Sequence, residues 1–426
     1  MNAITTLCRP GIAEGSTAAD TGLLHIHFGA GRLGLGLIAP FFQRPGSRLF
    51  LMNRAVSGDK ATGSTALPAE RRNQLLRDNP EGYYVVQKPG GSDADRHPVH
   101  YDGFFEYDED NLEGVIQSIV SRPLGRPTAV MVTASLLSAE NYGPVIKALN
   151  IIARMARERE HLSGRIFLVA CENTLSAREV CEDEALSSLL LSEARESVTC
   201  VHALVDRMCV GLEEDRTGPR PVVLVRAEDY GSVKLELTPD TEDLEDLCRG
   251  SRVEFSRHVD TEKQIKSWLL NGTHWLIALD AFDRTDGDKD LKLNQFILSS
   301  PENERFARGV MQEMRDGVAA LLRSDPTYAG FVRDVDVDQY LDGAAEAILQ
   351  RFVATDDPMV RILARFQAPR PNLCNTIESF TKRLADRVDA PMRAFEAEKG
   401  TVPKAASHSI QSLVRLLASG KFIDLQ

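Results

Sequence analysis

The sequence predicts an α/β chain: a mainly parallel sheet domain first, then a mostly helical domain. Three observations predict it. Short apolar runs bounded by turn residues recur up to about Val253, which is how strands buried on both faces read. Helix-compatible stretches separate several of them, and alternation of strand and helix yields a parallel sheet covered on both faces. Beyond Val253 the short runs stop and long helical patterns take over.

Taken in order, residues 1–21 form a flexible tail, residues 22–253 the sheet domain and residues 254–426 the helical domain. Leu23–Phe28 is a short apolar strand followed by glycines, Gly34–Phe42 continues as a helix toward Pro45, and Arg48–Met52 is a second strand. Further strands are expected at Tyr83–Gln87, Ala129–Thr133, Ile166–Ala170, Val222–Val225 and Val233–Leu237, with helices at Tyr142–Arg157 and Ser176–Ala194. No strand is expected after Val253. Helices are expected at Glu262–Leu279, Arg305–Leu322, Asp338–Phe352, Asn375–Val388 and Ser409–Leu417.

Composition narrows the function. The chain has 426 residues, 43% of them apolar and 26% charged, which is globular usage rather than that of a disordered chain or a collagen. Fifty basic against 62 acidic residues leave a net charge of −12, a poor match to the basic face that nucleic acid requires. No apolar run reaches the roughly 18 residues that span a bilayer. The seven cysteines (Cys8, Cys171, Cys181, Cys200, Cys209, Cys248, Cys374) are odd in number and widely spaced. They fit neither a disulfide framework nor a zinc ribbon, so a reducing, cytoplasmic setting is expected. The first residues lack a basic segment followed by an apolar one, so they read as a tail and not a signal peptide.

The first chemical motif is Gly29-Ala30-Gly31-Arg32-Leu33-Gly34. In a Gly-x-Gly-x-x-Gly turn the first glycine permits the tight turn, the second lets a pyrophosphate approach the backbone, and the third lets helix and strand pack closely. The helix N-terminus then offers free N–H groups and a positive dipole end. Here the motif follows a strand, opens a helix and leads into a second strand, the context that supports dinucleotide binding over a mere tight turn. The second strand normally ends in an acidic residue that binds the ribose 2′-hydroxyl. Asn53 followed by Arg54 stands there, so NADP is as good a candidate as NAD. Arg32 within the turn and Thr133 at the end of a later strand are further candidate cofactor contacts.

The second motif is Lys266-Ser267-Trp268-Leu269-Leu270-Asn271-Gly272-Thr273-His274. At 100° per residue Lys266, Asn271 and His274 share an arc of about 140° of helix surface. A lysine is a candidate base, an asparagine can donate to a developing alkoxide, and a histidine can orient a hydroxyl or keto oxygen. Taken alone, the three would read as a solvated stripe, and Lys263 is a rival base. Gly272 inside the helix counts against that bland reading, because mid-helix glycine costs about 1 kcal/mol.

Lys266, Asn271 and His274 resemble, position for position, the Lys-x4-Asn-x2-His signature of the mannitol dehydrogenase family of polyol-specific long-chain dehydrogenases. His27-Phe28-Gly29-Ala30-Gly31, Ala170-Cys171-Glu172-Asn173 and Val205-Asp206-Arg207 resemble that family's sugar-phosphate branch, in the same order. The resemblance implies a Rossmann-type domain, a helical C-terminal domain, an active site in the cleft between them, and metal-independent hydride transfer between NAD(P) and a polyol, ketose or sugar phosphate of the mannitol 1-phosphate/fructose 6-phosphate type. It implies Lys266 as general acid/base, Asn173 and Asn271 as the oxyanion-stabilising pair, and His274 as a substrate ligand. It leaves Asp206–Arg207 as a buried pair holding the cleft, and Arg351-Phe352 as a possible anchor in the C-terminal part. A phosphorylated substrate needs cations, and Arg361, Arg365, Arg370, Lys382, Arg383 and Arg387 are available.

No metal is expected: the acidic run Asp283–Asp290 fails EF-hand spacing. The expected state is a monomer or homodimer, with no nucleic-acid or membrane partner. The alternatives are a dehydrogenase of another hydroxy acid or keto substrate, and a dinucleotide-binding regulator without chemistry.

Overall fold

Leu23–Phe28 (β1) is buried along its whole length, and its side chains alternate between two cores. Leu24, Ile26 and Phe28 pack with the helices Leu112–Val120 and Gly143–Glu158, while Leu23 joins Leu37, Ile38, Phe41 and Phe42 on the other face. A strand so enclosed needs neighbours on both edges. In this computed structural model, which describes residues 22–56, 67–87, 95–122, 128–172, 177–363 and 377–420, they are Ser47–Arg54 (β2) and, from further along the chain, Thr128–Ala134 (β4). Gly103–Tyr107 (β3) pairs with β2, Leu162–Ala170 (β5) with β4, and Val198–Val201 (β6) with β5. All pairs are parallel, and the order β3-β2-β1-β4-β5-β6 is that of the doubly wound dinucleotide-binding fold. The strand order reverses between β1 and β4, which is where such sheets place a ligand crevice.

The chain divides into two units between Asp260 and Thr261. The first also carries two smaller sheets. One is four-stranded, made by Cys209–Asp215, Val222–Ala227, Tyr83–Val86 and Arg96–Val99. The other is three-stranded, made by Glu254–Ser256, Ser232–Glu236 and Ala203–Asp206. Several of these strands go beyond the sequence reading, and Glu254–Ser256 corrects the expectation that none follows Val253. Each is short, half-exposed or interrupted. Arg96–Val99 contains Pro98, and Gly103–Tyr107 buries only Tyr107 fully. The predicted helix Ser176–Ala194 is instead the three pieces Ala177–Glu182, Glu184–Ser187 and Ser192–Ser197, the second opened by an Asp183 cap that accepts from Leu186 N–H at 3.0 Å.

The second unit is helical around one apolar core that includes Trp275, Phe282, Phe331 and Phe380. Its longest helix, Pro301–Ser324, opens on a Ser300 cap and packs along Ala390–Lys399. The predicted helix Glu262–Leu279 runs as Val259–Ile265, a π-helical segment Lys266–Gly272, and Thr273–Arg284. A second π segment, Ala385–Asp389, packs against the first. Among the described residues no helix is long and apolar enough to cross a membrane.

Gly272 is what lets the two π segments meet. A methyl there would lie 2.7 Å from the Arg387 carbonyl oxygen and 3.2 Å from Met314 Cε. Gly272→Ala is therefore expected to destabilise the protein by about 1–3 kcal/mol through overpacking. Gly309→Ala, in the longest helix, meets only an ordinary contact at 3.6 Å and is expected to stabilise by about 0.5–1 kcal/mol. Thermal unfolding of both variants checks this: equal melting temperatures would contradict the steric account.

Candidate active site

The glycine turn is held from below. Gly29 has φ +103°, a left-handed conformation that glycine alone adopts freely. Its N–H donates to Met52 O at 2.9 Å, and its carbonyl accepts from Gly31 N–H at 2.7 Å. Gly34 lies so close to the turn that a methyl there would sit 2.2 Å from Gly29 O and 2.3 Å from His27 Nε2. Gly31 differs: a methyl would meet nothing within 4 Å, so the backbone is open to an approaching group. The three glycines thus have three separate surroundings: positive φ at Gly29, close packing at Gly34 and open backbone at Gly31. Ala30 is fully buried, Leu33 packs partly on the core, and Arg32 is exposed.

The helix after the turn opens as a π segment, Gly34–Ile38. Its widened backbone presents carbonyls to buried side chains. Tyr83 Oη donates to Leu35 O at 2.6 Å, and Arg207 donates to Gly36 O at 2.7 Å. Arg207 also donates to Glu228 O at 3.0 and 2.9 Å. This corrects the expected Asp206–Arg207 pair: the buried guanidinium is satisfied by main-chain carbonyls and braces the helix of the glycine turn.

Thr133 does not face the open side of the turn. It is fully buried, and its Oγ1 lies 2.7 Å from both His25 Nε2 and His27 Nδ1. His27 Nε2 lies 3.2 Å from Gly29 O, so it must donate there. His27 Nδ1 then accepts from the Thr133 hydroxyl, whose oxygen accepts from His25 Nε2–H. Both imidazoles are neutral in this chain. Burial pushes His27 down to about 4, and burial plus the neighbouring His27 pushes His25 well below 6.5.

The facing loop after β4 is anchored by Glu172 of the Ala-Cys-Glu-Asn run. Its buried carboxylate accepts from the Leu136 N–H, from the Leu137 N–H at 2.9 Å and from Tyr142 Oη at 3.2 Å. Leu137 is held at φ +72° with its side chain exposed, a strained position beside the crevice of the fold. Glu172 is a positioning residue that the sequence reading treated only as motif. Asn173 lies outside the described residues.

At the end of β2, Asn53 Nδ2 donates to Asn73 Oδ1 at 2.9 Å, and Asn73 Nδ2 donates to Glu106 Oε1 at 2.8 Å. Arg54 is exposed.

In the helical unit the π segment changes the spacing argument. Residues five apart diverge by about 140° on an α-helix, but an i→i+5 turn brings them toward one side. Lys266 and Asn271 are such a pair, both half-buried. One α-helical step later His274 is buried. It stacks on Phe352 with ring centroids 4.6 Å apart, and its Nε2 lies 3.6 Å from Asp357 Oδ2. Arg361 pairs with the other Asp357 oxygen at 3.2 Å. Asp357 was not among the expected residues; its signal is only an aspartate before Pro358. Of the candidate phosphate-binding cations, Arg383 is buried and donates to Leu363 O, Lys382 is exposed, and Arg365 and Arg370 lie outside the described residues.

No family model and no curated protein matches the sequence. Among solved structures, a substrate-free D-sorbitol dehydrogenase matches with a TM-score of 0.60 at 12% identity, over 94% of this chain and 81% of that one. The Pseudomonas fluorescens mannitol 2-dehydrogenase, solved with NAD and D-mannitol, matches with a TM-score of 0.53 at 16% identity, over 90% and 79%. The chain has the fold of these two dehydrogenases. The predicted α/β architecture with a helical C-terminal region is borne out by that likeness and by the parallel six-stranded sheet.

The paired histidines make the glycine turn acid-sensitive. The unfolded chain protonates them near 6.5 and the folded chain only well below, so the unfolded state binds more protons in between. Stability is complete above about pH 6.5 and falls as pH drops toward 4. For His27 the displacement from 6.5 to about 4 corresponds to about 3 kcal/mol, reached in full only below pH 4. Urea unfolding from pH 7 to pH 4 measures it. His27→Gln is expected to flatten the acid side of that profile, and an unchanged slope would contradict this origin.

Proposed function

We propose that the chain is a NAD(P)-dependent oxidoreductase that moves a hydride between the nicotinamide and the carbinol or keto carbon of a polyol, ketose or sugar phosphate. The observation that carries this is the π segment, which brings Lys266 and Asn271 to one side beside the buried His274 backed by Asp357. Single π turns inside α-helices are frequent at functional sites.

The glycine turn fits a dinucleotide: open backbone at Gly31, and a helix N-terminus directly after it for the pyrophosphate. When bound, NAD(P) supplies the hydride acceptor or donor. Lys266 takes the proton from the substrate hydroxyl in oxidation and returns it to the oxygen in reduction. Asn271 donates its amide N–H to the same oxygen as negative charge develops. His274 fixes the substrate's orientation, and stacking on Phe352 together with the nearby Asp357 holds its ring in place. By the family resemblance Asn173 joins Asn271 at the oxyanion. Arg361 and Arg387, half-buried on elements of the same helical unit, favour a phosphorylated substrate of the fructose 6-phosphate type, because arginine binds phosphate in bidentate fashion.

The test is nicotinamide absorbance with NADH or NADPH offered against fructose 6-phosphate, fructose, other keto sugars and keto acids. Oxidation with fructose 6-phosphate is the expected result; activity only with a keto acid would move the substrate class. Lys266→Ala is expected to lower turnover by about 10²–10⁴-fold, with dinucleotide fluorescence titrating as in the parent. Near-normal turnover in that variant would overturn the assignment of the base.

A further inference from the structure

Near the end of β2 lies a cation that meets no carboxylate among the described residues. Arg72, on the helix Ala69–Asp78, is half-buried, and burial pulls its pKa down. Its Nε is buried and meets no hydrogen-bond acceptor among the described residues. Its one side-chain contact is a long one, Nη2 to Asn73 Oδ1 at 3.4 Å. That same oxygen accepts from Asn53 Nδ2 at 2.9 Å. The guanidinium of Arg72 and the amide of Asn53 therefore converge on one atom, at the strand end where a dinucleotide fold places the adenosine ribose. Arg54 is next in sequence, and its carbonyl lies 3.4 Å from Asn73 Nδ2.

The nearby carboxylate is already engaged. Glu106 stands directly across from Asn53 in the β2–β3 register. One of its oxygens accepts from Asn73 Nδ2 at 2.8 Å and the other pairs with Arg77. It is thus held away from the duty of accepting a ribose 2′-hydroxyl, and Asn53 carries no charge to take its place. Elsewhere on this unit arginines meet carboxylates: Arg71 pairs with Glu214 at 2.6 Å and Arg96 with Asp215 at 2.6 Å. Arg72, one residue from Arg71, has no carboxylate partner among the described residues. A half-buried cation in that state is costly unless a ligand supplies the counter-charge.

We infer that Arg72 and Arg54 form the subsite for a 2′-phosphate, so that the chain selects NADP(H) over NAD(H). This rests on the reading of the glycine turn as a dinucleotide site. The Nη groups at the end of the Arg72 guanidinium supply the donors to the phosphate, and Asn53 donates to the ribose side. The Asn73–Glu106–Arg77 network holds the amide of Asn73 in place beneath them.

Isothermal titration of the full chain with adenosine 2′,5′-bisphosphate and with ADP separates the possibilities without catalysis. The bisphosphate is expected to bind about 10- to 100-fold tighter, the range for charge-assisted hydrogen bonds to phosphate. Arg72→Ala and Arg54→Ala should each erode that preference while ADP binding holds. Arg72→Lys should keep part of it. Because Arg72 pairs with no carboxylate among the described residues, the ligand-free Arg72→Ala protein is expected to melt no lower than the parent. Equal binding of the two ligands by the parent would overturn the inference and leave the dinucleotide reading standing. So would a preference that survives Arg72→Ala. Binding of neither ligand, nor of NADH or NADPH, would overturn both.

Discussion

Main chain lies against main chain at the glycine turn, at a distance that leaves no room for a side chain. A methyl at Gly34 would lie 2.2 Å from the carbonyl oxygen of Gly29, so the first turn of the helix rests on the strand that precedes it. That contact fixes where the helix N-terminus points, and hence where free N–H groups are presented. The helix then passes through a widened turn at Gly34–Ile38, whose carbonyls at Leu35 and Gly36 would be costly to bury unmet. Tyr83 and Arg207 meet them from the four-stranded sheet and from the segment after Ala203–Asp206. Two elements remote in sequence are thus tied to a local demand of the glycine turn. The Val-Asp-Arg run has its Arg for that reason, and not for an ion pair with its own aspartate.

The same constraint recurs in the helical unit. A methyl at Gly272 would press on the Arg387 carbonyl, and one at Gly317 would lie 2.2 Å from the Pro391 carbonyl. Both contacts draw the segment Ala385–Lys399 against the helices that carry the core. Packing two helices this closely leaves little room for a regular 3.6-residue repeat on both. Each contains one π segment, and the one at Lys266–Gly272 carries Lys266 and Asn271. The glycine that looked like a propensity defect in the sequence is the point of contact.

What was legible follows from how local each cause is. The strand Leu23–Phe28, the glycine turn and the long helices are set by neighbouring residues, and a single window of sequence carries them. Gly103–Tyr107 was not legible, because its two phenylalanines are half-exposed on the edge strand of the sheet. The π turn was not legible either: its apolar residues still satisfy a helical period, and the Arg387 carbonyl it packs against stands on another helix. Asp357 escaped notice because it stands on a turn, in no periodic pattern, and gains meaning only from His274 across the core. Thr133 was read as a ligand contact from its place at a strand end. It turns inward because its strand pairs with β1 in a register that sets it directly beside His27. Arg72 reads in sequence as one more cation on an amphipathic helix, and it is set apart by meeting no carboxylate among the described residues.

The His25–Thr133–His27 chain shows why polar residues sit beneath the turn at all. Gly29 at positive φ turns its carbonyl toward the sheet, where Gly31 N–H, Ser135 Oγ at 3.1 Å and His27 Nε2 share it. An apolar residue at position 27 would remove one donor and leave the Thr133 hydroxyl short of a partner. The chain of hydrogen bonds also crosses from β1 to β4, the two strands whose outward connections run in opposite directions. Parallel pairing alone sets that register evenly along both strands; the Thr133 bridge adds a side-chain lock at the end that opens onto the crevice. The lock works only while His27 is neutral, because a second N–H on its ring would face the hydroxyl that now donates to it. The glycine turn is therefore held rigid at the cost of stability in acid, and it is best ordered where its histidines are uncharged.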